Sequence, residues 1–270
     1  MSMSNRLGFV TGCARSGTTI LGEILSHHED IQYLNDRFDL WVETFPVTDI
    51  WGKRPDKPVP GAKIALTGQD CESCEGAGGR KELLRRLEAE RNGKPLLIEK
   101  LAINNFRLDF LHHLFPDAYF INIVRHGAEV AFSIQERILT TAWYGRDERK
   151  WSYFVQYAAT AGYGDLLPLC ETGYEKGLLE WLMSVEAAEA FLEKQVPRHF
   201  LQLRYEELIC DPLAVSQRLE TFLEMKPSDT MGQFAARDVR RRSLPAGKRE
   251  IPDTTEAIAG PTLRRLGYAF

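Results

Sequence analysis

The segment Gly12-Cys13-Ala14-Arg15-Ser16-Gly17-Thr18-Thr19 constrains this chain more than any other. An apolar run, Leu7-Gly8-Phe9-Val10, precedes it, and a helical pattern, Ile20-Leu21-Gly22-Glu23-Ile24-Leu25, follows it. Strand, glycine-bounded loop and helix in that order build an anion site. Loop N–H groups and the positive end of the helix converge on one phosphate-sized spot. The spacing is that of the phosphate-binding loop G-x-x-x-x-G-K-[ST]. Thr18 stands where that loop carries its lysine, and the loop's cation is Arg15. The segment therefore reads as a cradle for a nucleotide phosphate or a sulfate, used otherwise than in an ordinary nucleoside triphosphatase. Ser16, Thr18 and Thr19 also read as helix caps, an alternative that needs no ligand.

At 270 residues, 44% of them hydrophobic, the chain has material for a sizeable core and suits one α/β domain with insertions, or at most two domains. The net charge of −4 argues against nonspecific nucleic-acid binding, so any anion site is a local basic pocket in an acidic protein. Met1 to Arg6 is polar, which is not the start of a secretion signal, and no stretch approaches the roughly 18 apolar residues of a membrane span. The five cysteines are odd in number and irregular in spacing, which fits a reducing cytoplasm better than a disulfide framework.

Apolar runs and helical periods alternate along the chain. Strands are expected at Leu7–Gly12, Ile31–Leu34, Pro95–Leu101, Tyr119–Val124 and His199–Arg204. Helices are expected at Gly17–His28, Arg80–Arg91, Asn104–Phe115, Ala128–Leu139, Glu175–Gln195 and Pro212–Leu223. Residues Asp36 to Asn92 are broken by Pro46, Pro55, Pro58 and Pro60, and Trp143 to Tyr163 is rich in aromatics and is assigned no element. The basic stretch Arg237–Arg249 reads as a loop. The pattern predicts an α/β fold: a single P-loop-like domain over 1–270, its central, mostly parallel sheet flanked by helices, with irregular insertions at 36–92 and 140–175. Ligands of such sheets sit beyond the carboxyl ends of the strands. That rule draws Gly12–Thr19, Glu99-Lys100, Arg125 and Tyr205 together.

With these pieces in place the chain resembles the sulfotransferases that use 3′-phosphoadenosine 5′-phosphosulfate (PAPS). Ala14-Arg15-Ser16-Gly17-Thr18-Thr19 is similar to the family's 5′-phosphosulfate loop, P-[RK]-S-G-T-T. Arg125, followed eight positions later by Ser133, resembles its 3′-phosphate motif. Glu99-Lys100 resembles the strand end with the active-site lysine, and Leu203-Arg204-Tyr205-Glu206-Glu207-Leu208 with Asp211-Pro212 is similar to the Y-E-[DE]-L segment. Singly, Arg125 reads as a surface arginine, Ser133 as a solvated serine and Tyr205 as a polar strand terminus; the order of the four segments gives them weight. His126-Gly127 departs from the acidic-or-Asn plus Pro that follows the family's arginine. The family's basic loop near the C-terminus is loosely matched by Arg240-Arg241-Arg242-Ser243-Leu244-Pro245-Ala246-Gly247-Lys248. That run reads equally as a solvated face or as a clamp on the 3′-phosphate through Arg242 and Lys248.

The resemblance implies sulfuryl transfer from PAPS to a small-molecule acceptor, with adenosine 3′,5′-bisphosphate (PAP) as product and no metal required. The leaving group's bridging oxygen gains charge, which Lys100, Arg15 and the loop amides would meet. Arg125 and Ser133 would hold the 3′-phosphate, and Tyr205 would lie near the adenine. The acceptor hydroxyl needs a base. Two positions after Lys100 stands Ala102, so the histidine of one family branch is absent. The region His28–Asp36 resembles the branch with an acidic base and nominates Asp36, which also reads as a turn-forming aspartate. Glu43, His112 and His113 are rivals. The competing reaction class is a P-loop small-molecule kinase using ATP and Mg²⁺. Thr18 in place of lysine and the lack of a clear strand-end aspartate count against it, the nearest candidate being Leu96-Leu97-Ile98-Glu99. Cys71-Glu72-Ser73-Cys74 has the C-x-x-C spacing of half a zinc or redox site, with no second pair, and also reads as an ordinary loop. Aromatics such as Phe38, Trp41, Phe45, Trp51, Trp143, Tyr144, Trp151 and Phe154 are expected in the core, some of them lining an apolar acceptor pocket.

Overall fold

The computed structural model describes residues 6–53, 61–70, 78–141, 143–144, 148–239 and 249–269. Five strands form one sheet: β1 (Arg6–Thr11), β2 (Ile31–Asn35), β3 (Leu96–Lys100), β4 (Tyr119–Val124) and β5 (His199–Arg204). Their order is β2-β3-β1-β4-β5, and every pairing is parallel. From β1 the chain moves outward to β2 on one side, and from β4 it moves outward to β5 on the other. The carboxyl ends of β1 and β4 therefore flank the point where the connections diverge, which opens a crevice for a ligand.

The central strands β1, β3 and β4 are buried on both faces, as a sheet covered by helices requires, while the edge strands β2 and β5 are partly exposed. Alternation sends Phe9, Leu97 and Phe120 to one buried cluster and Val10, Ile98 and Ile121 to the other. The helices, in chain order, are α1 (Thr18–Ser26), α2 (Phe38–Thr44), α3 (Gly79–Glu90), α4 (Leu108–Leu114), α5 (Gly127–Thr140), α6 (Arg149–Ala161), α7 (Gly173–Lys194), α8 (Tyr205–Cys210), α9 (Pro212–Phe222), α10 (Asp229–Phe234) and α11 (Thr254–Arg265). Leu21 and Ile24 of α1 and Leu219 of α9 join Val10 and Ile121. Trp41 of α2 and Trp181 of α7 join Phe9 and Phe120. No helix among the described residues is long and apolar enough to cross a membrane.

The expected elements recur, α2, α10 and α11 are added to them, a π-helical turn over Ala235–Val239 enters the stretch expected as a basic loop, and three further differences stand out. Asn104–Phe115, expected as one helix, is a 3-10 segment over Ala102–Arg107 followed by α4. The break sits where Arg107 buries its guanidinium against the carbonyls of Ile64, Thr48 and Lys63, a long-range demand that the local period does not reveal. The aromatic stretch 143–163 contains α6, whose Trp151, Phe154 and Ala158 are buried in the core. Tyr205 opens a short helix, α8, instead of ending a strand in a loop.

The turn after β4 keeps its helix start without the family's proline. His126 is the N-cap of α5, its Nδ1 accepting from the Ala128 N–H at 3.2 Å. Gly127 lies against the indole of Trp181, and a Cβ there would come within 2.7 Å of the ring.

Candidate active site

The loop after β1 depends on two glycines. Gly12, at φ +140°, leaves no space for a Cβ, which would come 2.5 Å from the Ile123 carbonyl oxygen. Gly17, at φ +97°, sits so close to Tyr205 that a Cβ would be 2.4 Å from its Cδ2. Gly17 is also the N-cap of α1, and no side chain caps that end. The helix-cap alternative for Ser16, Thr18 and Thr19 therefore does not describe this loop, and the first amides of α1 stay open to an anion. Ser16 is fully buried and its hydroxyl has no hydrogen-bond partner. A buried orphan hydroxyl, uncapped helix amides and a Cβ-free cradle together fit a phosphate or sulfate group.

Arg15 adopts a left-handed backbone, φ 69°, which is strained for a residue with a long side chain. Its Nε donates to Ser133 Oγ on α5 at 3.0 Å. Its carbonyl accepts from Arg125 Nη1 at 3.2 Å. The Arg125 guanidinium in turn lies 4.4 Å over the Tyr205 ring and 3.4 Å from the Glu129 carboxylate. Trp181 Nε1 donates to the Arg125 carbonyl at 3.0 Å, fixing the start of α5. Burial, with Arg137 and Arg125 as neighbouring cations, holds the Arg15 guanidinium below its ordinary range. Crowded cations of this kind favour an anion between them.

The sheet register places Val10, Lys100 and Asn35 side by side at the carboxyl ends of β1, β3 and β2. Asp36 follows Asn35, with φ 51°, and its amide donates to the Lys100 carbonyl at 3.0 Å. Its carboxylate Oδ2 lies 3.0 Å from Lys100 Nζ, the lysine side chain being 4% exposed and the aspartate 39%. Lys100, Asp36, Arg15, Thr18 and Thr19 line one cavity of about 220 Å³. Of the four candidate bases, only Asp36 lines it. Glu43 is paired with Arg86, His112 packs against Phe120 and Phe191, and His113 stands beside Gly68.

Glu99 faces away from Lys100 on the same strand and is fully buried. Its oxygens accept from Trp41 Nε1 at 3.2 Å and Asn104 Nδ2 at 3.1 Å. Burial pushes its carboxyl up to about 8. It joins α2 and the 3-10 segment to β3 and does not line the cavity.

Phe38, Trp51, Phe106 and Trp143 form apolar walls of the cavity, while Trp41, Phe45 and Phe154 belong to the core. Cys13 of the loop also lines it, with Lys150, Glu180 and Ser184, the last three not singled out by the sequence. The only trace of them in the chain is charge inside apolar helices, Lys150 beside Trp151 and Glu180 beside Trp181. Burial, with the Glu180 carboxylate adding to it, drives the Cys13 thiol well up. Arg242, Lys248, Cys71 and Cys74 lie outside the described residues. A larger groove of about 730 Å³ lies at the opposite edge, by the amino ends of the strands near Arg6, Tyr119 and His199. It contains none of the residues above.

The model of the sulfotransferase family matches residues 9–229. No curated protein matches the chain. Among solved structures, the sulfotransferase STF9 from Mycobacterium avium superposes with a TM-score of 0.59 at 13% identity, over 100% of this chain and 79% of that one. The sulfotransferase domain from the curacin biosynthetic pathway gives 0.57 at 15% identity, over 99% of both chains. A sulfotransferase from Alicyclobacillus acidocaldarius gives 0.53 at 17% identity, over 100% of this chain and 98% of that one. These likenesses speak to the fold, and the family match spans the loop, Lys100, Arg125 and Tyr205. The chain belongs to the sulfotransferase family and is a transferase.

Proposed function

We propose that this enzyme moves a sulfuryl group from PAPS to a hydroxyl of a small organic acceptor, releasing PAP. The observation that carries the proposal is the pairing of Arg15 with Ser133 and Arg125. It joins the loop expected to hold the 5′-phosphosulfate to the two residues expected to hold the 3′-phosphate. A nucleotide with phosphates at both positions matches that joined surface; ATP has no 3′-phosphate.

In this reading the amides at the start of α1, Ser16, Gly17, Thr18 and Thr19 receive the 5′-phosphosulfate, and Arg15 offers its fork to the oxygens. Arg125 and Ser133 bind the 3′-phosphate. Tyr205 supports Arg125 from below, at the edge of the adenine site. The S–O bond to the bridging oxygen breaks as the acceptor oxygen bonds to sulfur. Lys100 stabilises charge on the departing oxygen, and Asp36 takes the acceptor's proton. At rest the two are paired, each masking the other. The donor's bridging oxygen draws Lys100 away, and the carboxylate is released to act as base. No metal is needed, because the transferred group carries less charge than a γ-phosphoryl.

Thermal stabilisation tests the donor. PAP at 100 times its Kd adds about 2.7 kcal/mol to apparent stability. We expect PAP to raise Tm and ATP with Mg²⁺ to have a smaller effect. A preference for ATP with Mg²⁺ would overturn the proposal in favour of a kinase.

A further inference from the structure

Besides the Lys100–Asp36 pair, the cavity is lined by a second polar group, Lys150, Glu180 and Ser184, among aromatic residues. Glu180 and Ser184 stand four residues apart on α7, and so share one helix face. They are 3% and 1% exposed. Lys150 reaches in from α6, its Nζ 3.0 Å from Glu180 Oε1. Its ammonium also lies 4.7 Å from the centre of the Trp143 ring and 5.2 Å from that of Phe154. Glu180 Oε2 accepts a long contact from Trp143 Nε1 at 3.4 Å, and the Tyr144 hydroxyl lies beside the same carboxylate. The Ser184 hydroxyl lines the cavity, is buried, and lies beside the Cys13 thiol, a weak partner, with no nitrogen or oxygen in hydrogen-bonding geometry.

Buried polar groups in native proteins are generally satisfied. A hydroxyl with only a thiol beside it, a carboxylate whose second oxygen has only long or loosely aligned neighbours, and an ammonium with spare donors mark a place for a ligand's polar group. The charge of that group follows from the pair. Lys150 and Glu180 neutralise each other, so a charged ligand group there would be buried without compensation. A neutral hydroxyl has no such penalty. It donates to Glu180 Oε2 and accepts from Ser184 Oγ or Lys150 Nζ. The walls, Phe38, Trp51, Phe106 and Trp143, suit the faces of a flat ring. The cavity of about 220 Å³, part of which the proposed 5′-phosphosulfate shares, is on the scale of the roughly 150 Å³ apolar cavity that accepts benzene, which limits the acceptor to one or two rings.

We infer that the acceptor is a one- or two-ring aromatic alcohol with a second, neutral hydroxyl at the end away from the reacting one, and that Ser184, Glu180 and Lys150 select it. This inference rests on the sulfuryl-transfer reading of the same site. The test uses matched acceptors in which methyl replaces the distal hydroxyl: benzene-1,4-diol against 4-methylphenol, and naphthalene-2,6-diol against 6-methyl-2-naphthol. Each is assayed with PAPS on the parent enzyme and on Ser184→Ala, and PAP affinity is measured for both proteins. The expected result is a kcat/KM at least tenfold higher for the diol of one ring size, beyond the statistical factor of about two for its paired hydroxyls. In Ser184→Ala that preference falls to about the statistical factor, while PAP affinity is unchanged. If PAP binds and sulfate is transferred without a diol preference, or Ser184→Ala keeps the preference, the distal subsite is wrong and the donor reading stands. PAP binding without transfer to any of the four acceptors also overturns the subsite. Absence of PAP binding overturns both.

Discussion

Lys100 and Asp36 form an ion pair of 3.0 Å between the ends of neighbouring strands, the lysine almost wholly buried and the aspartate open to the cavity. The pair holds the group proposed to stabilise the leaving oxygen next to the group proposed to remove the acceptor's proton. Asp36→Asn keeps the shape of the side chain and removes the base. Turnover is expected to fall by about 10²–10⁴, the usual worth of general base catalysis, with PAP affinity within about threefold of the parent. Isothermal titration with PAP beside steady-state kinetics separates the two effects. Unchanged kcat would remove Asp36 from the mechanism.

Lys100→Ala deletes the other half of the pair. Loss of a charge stabiliser at the leaving oxygen is expected to lower kcat by about 10²–10³. Lys100→Arg keeps the charge on a longer, planar group and is expected to recover only part of the rate. Equal rates for the parent and the alanine variant in single-turnover assays would refute the role.

Arg125→Ala removes a charge-assisted contact proposed for the 3′-phosphate. The expected loss in PAP binding is about 1.5–3 kcal/mol, or roughly 10–150-fold in Kd. Arg125→Lys is expected to bind PAP more weakly than the parent, because the planar fork stacked on Tyr205 is lost. Adenosine 5′-phosphosulfate, which lacks the 3′-phosphate, serves as the control, and its affinity is expected to change little. An equal loss for both ligands would place Arg125 elsewhere.

Gly17→Ala and Gly162→Ala form an internal comparison. Both glycines have positive φ, 97° and 90°, but only Gly17 has Tyr205 where the new Cβ would go. Gly162→Ala is expected to lose about 1 kcal/mol from backbone strain alone. Gly17→Ala is expected to lose about 2–4 kcal/mol, since overpacking is added to the same strain. Denaturant midpoints measure both. Similar losses would mean that the Tyr205 contact relaxes freely.

Glu99 ties stability to pH. Its folded-state value of about 8 lies above the ordinary 4.5, so the folded protein favours the protonated carboxyl. The sign follows by linkage: this contribution is complete below about 4.5, declines as pH rises toward 8, and is flat above that. Glu99→Gln cannot titrate. The difference in Tm between parent and variant is therefore expected to move against the parent from pH 5 to pH 8. A difference that is constant over that range would show that Glu99 is ionised throughout.

Much of the architecture was legible because its signals are local. β4 appears at the expected residues, and β1, β3 and α1 lie within about two residues of them. Apolar period and glycine placement act over a few neighbours, and both faces of a parallel sheet must be covered. The break before α4 was not legible, because it depends on Arg107 meeting carbonyls more than forty residues away. α6 was legible but not assigned: its buried Trp151, Phe154 and Ala158 fall at i, i+3 and i+7, the spacing of one helix face.

The sequence by itself determined the loop, the strand ends that surround it, and the family that the chain belongs to. These follow from steric and hydrogen-bonding rules that operate along the chain: a glycine where φ is positive, an open helix N-terminus, a cation in place of a missing lysine. The tertiary structure alone decided which distant groups meet. It paired Lys100 with Asp36 across 64 residues and Arg15 with Ser133 across 118. It also brought Lys150, Glu180 and Ser184 to the lining of the same cavity. Such meetings depend on strand order, helix packing and the exclusion of water from the interior. None of these is written in the spacing of neighbouring residues.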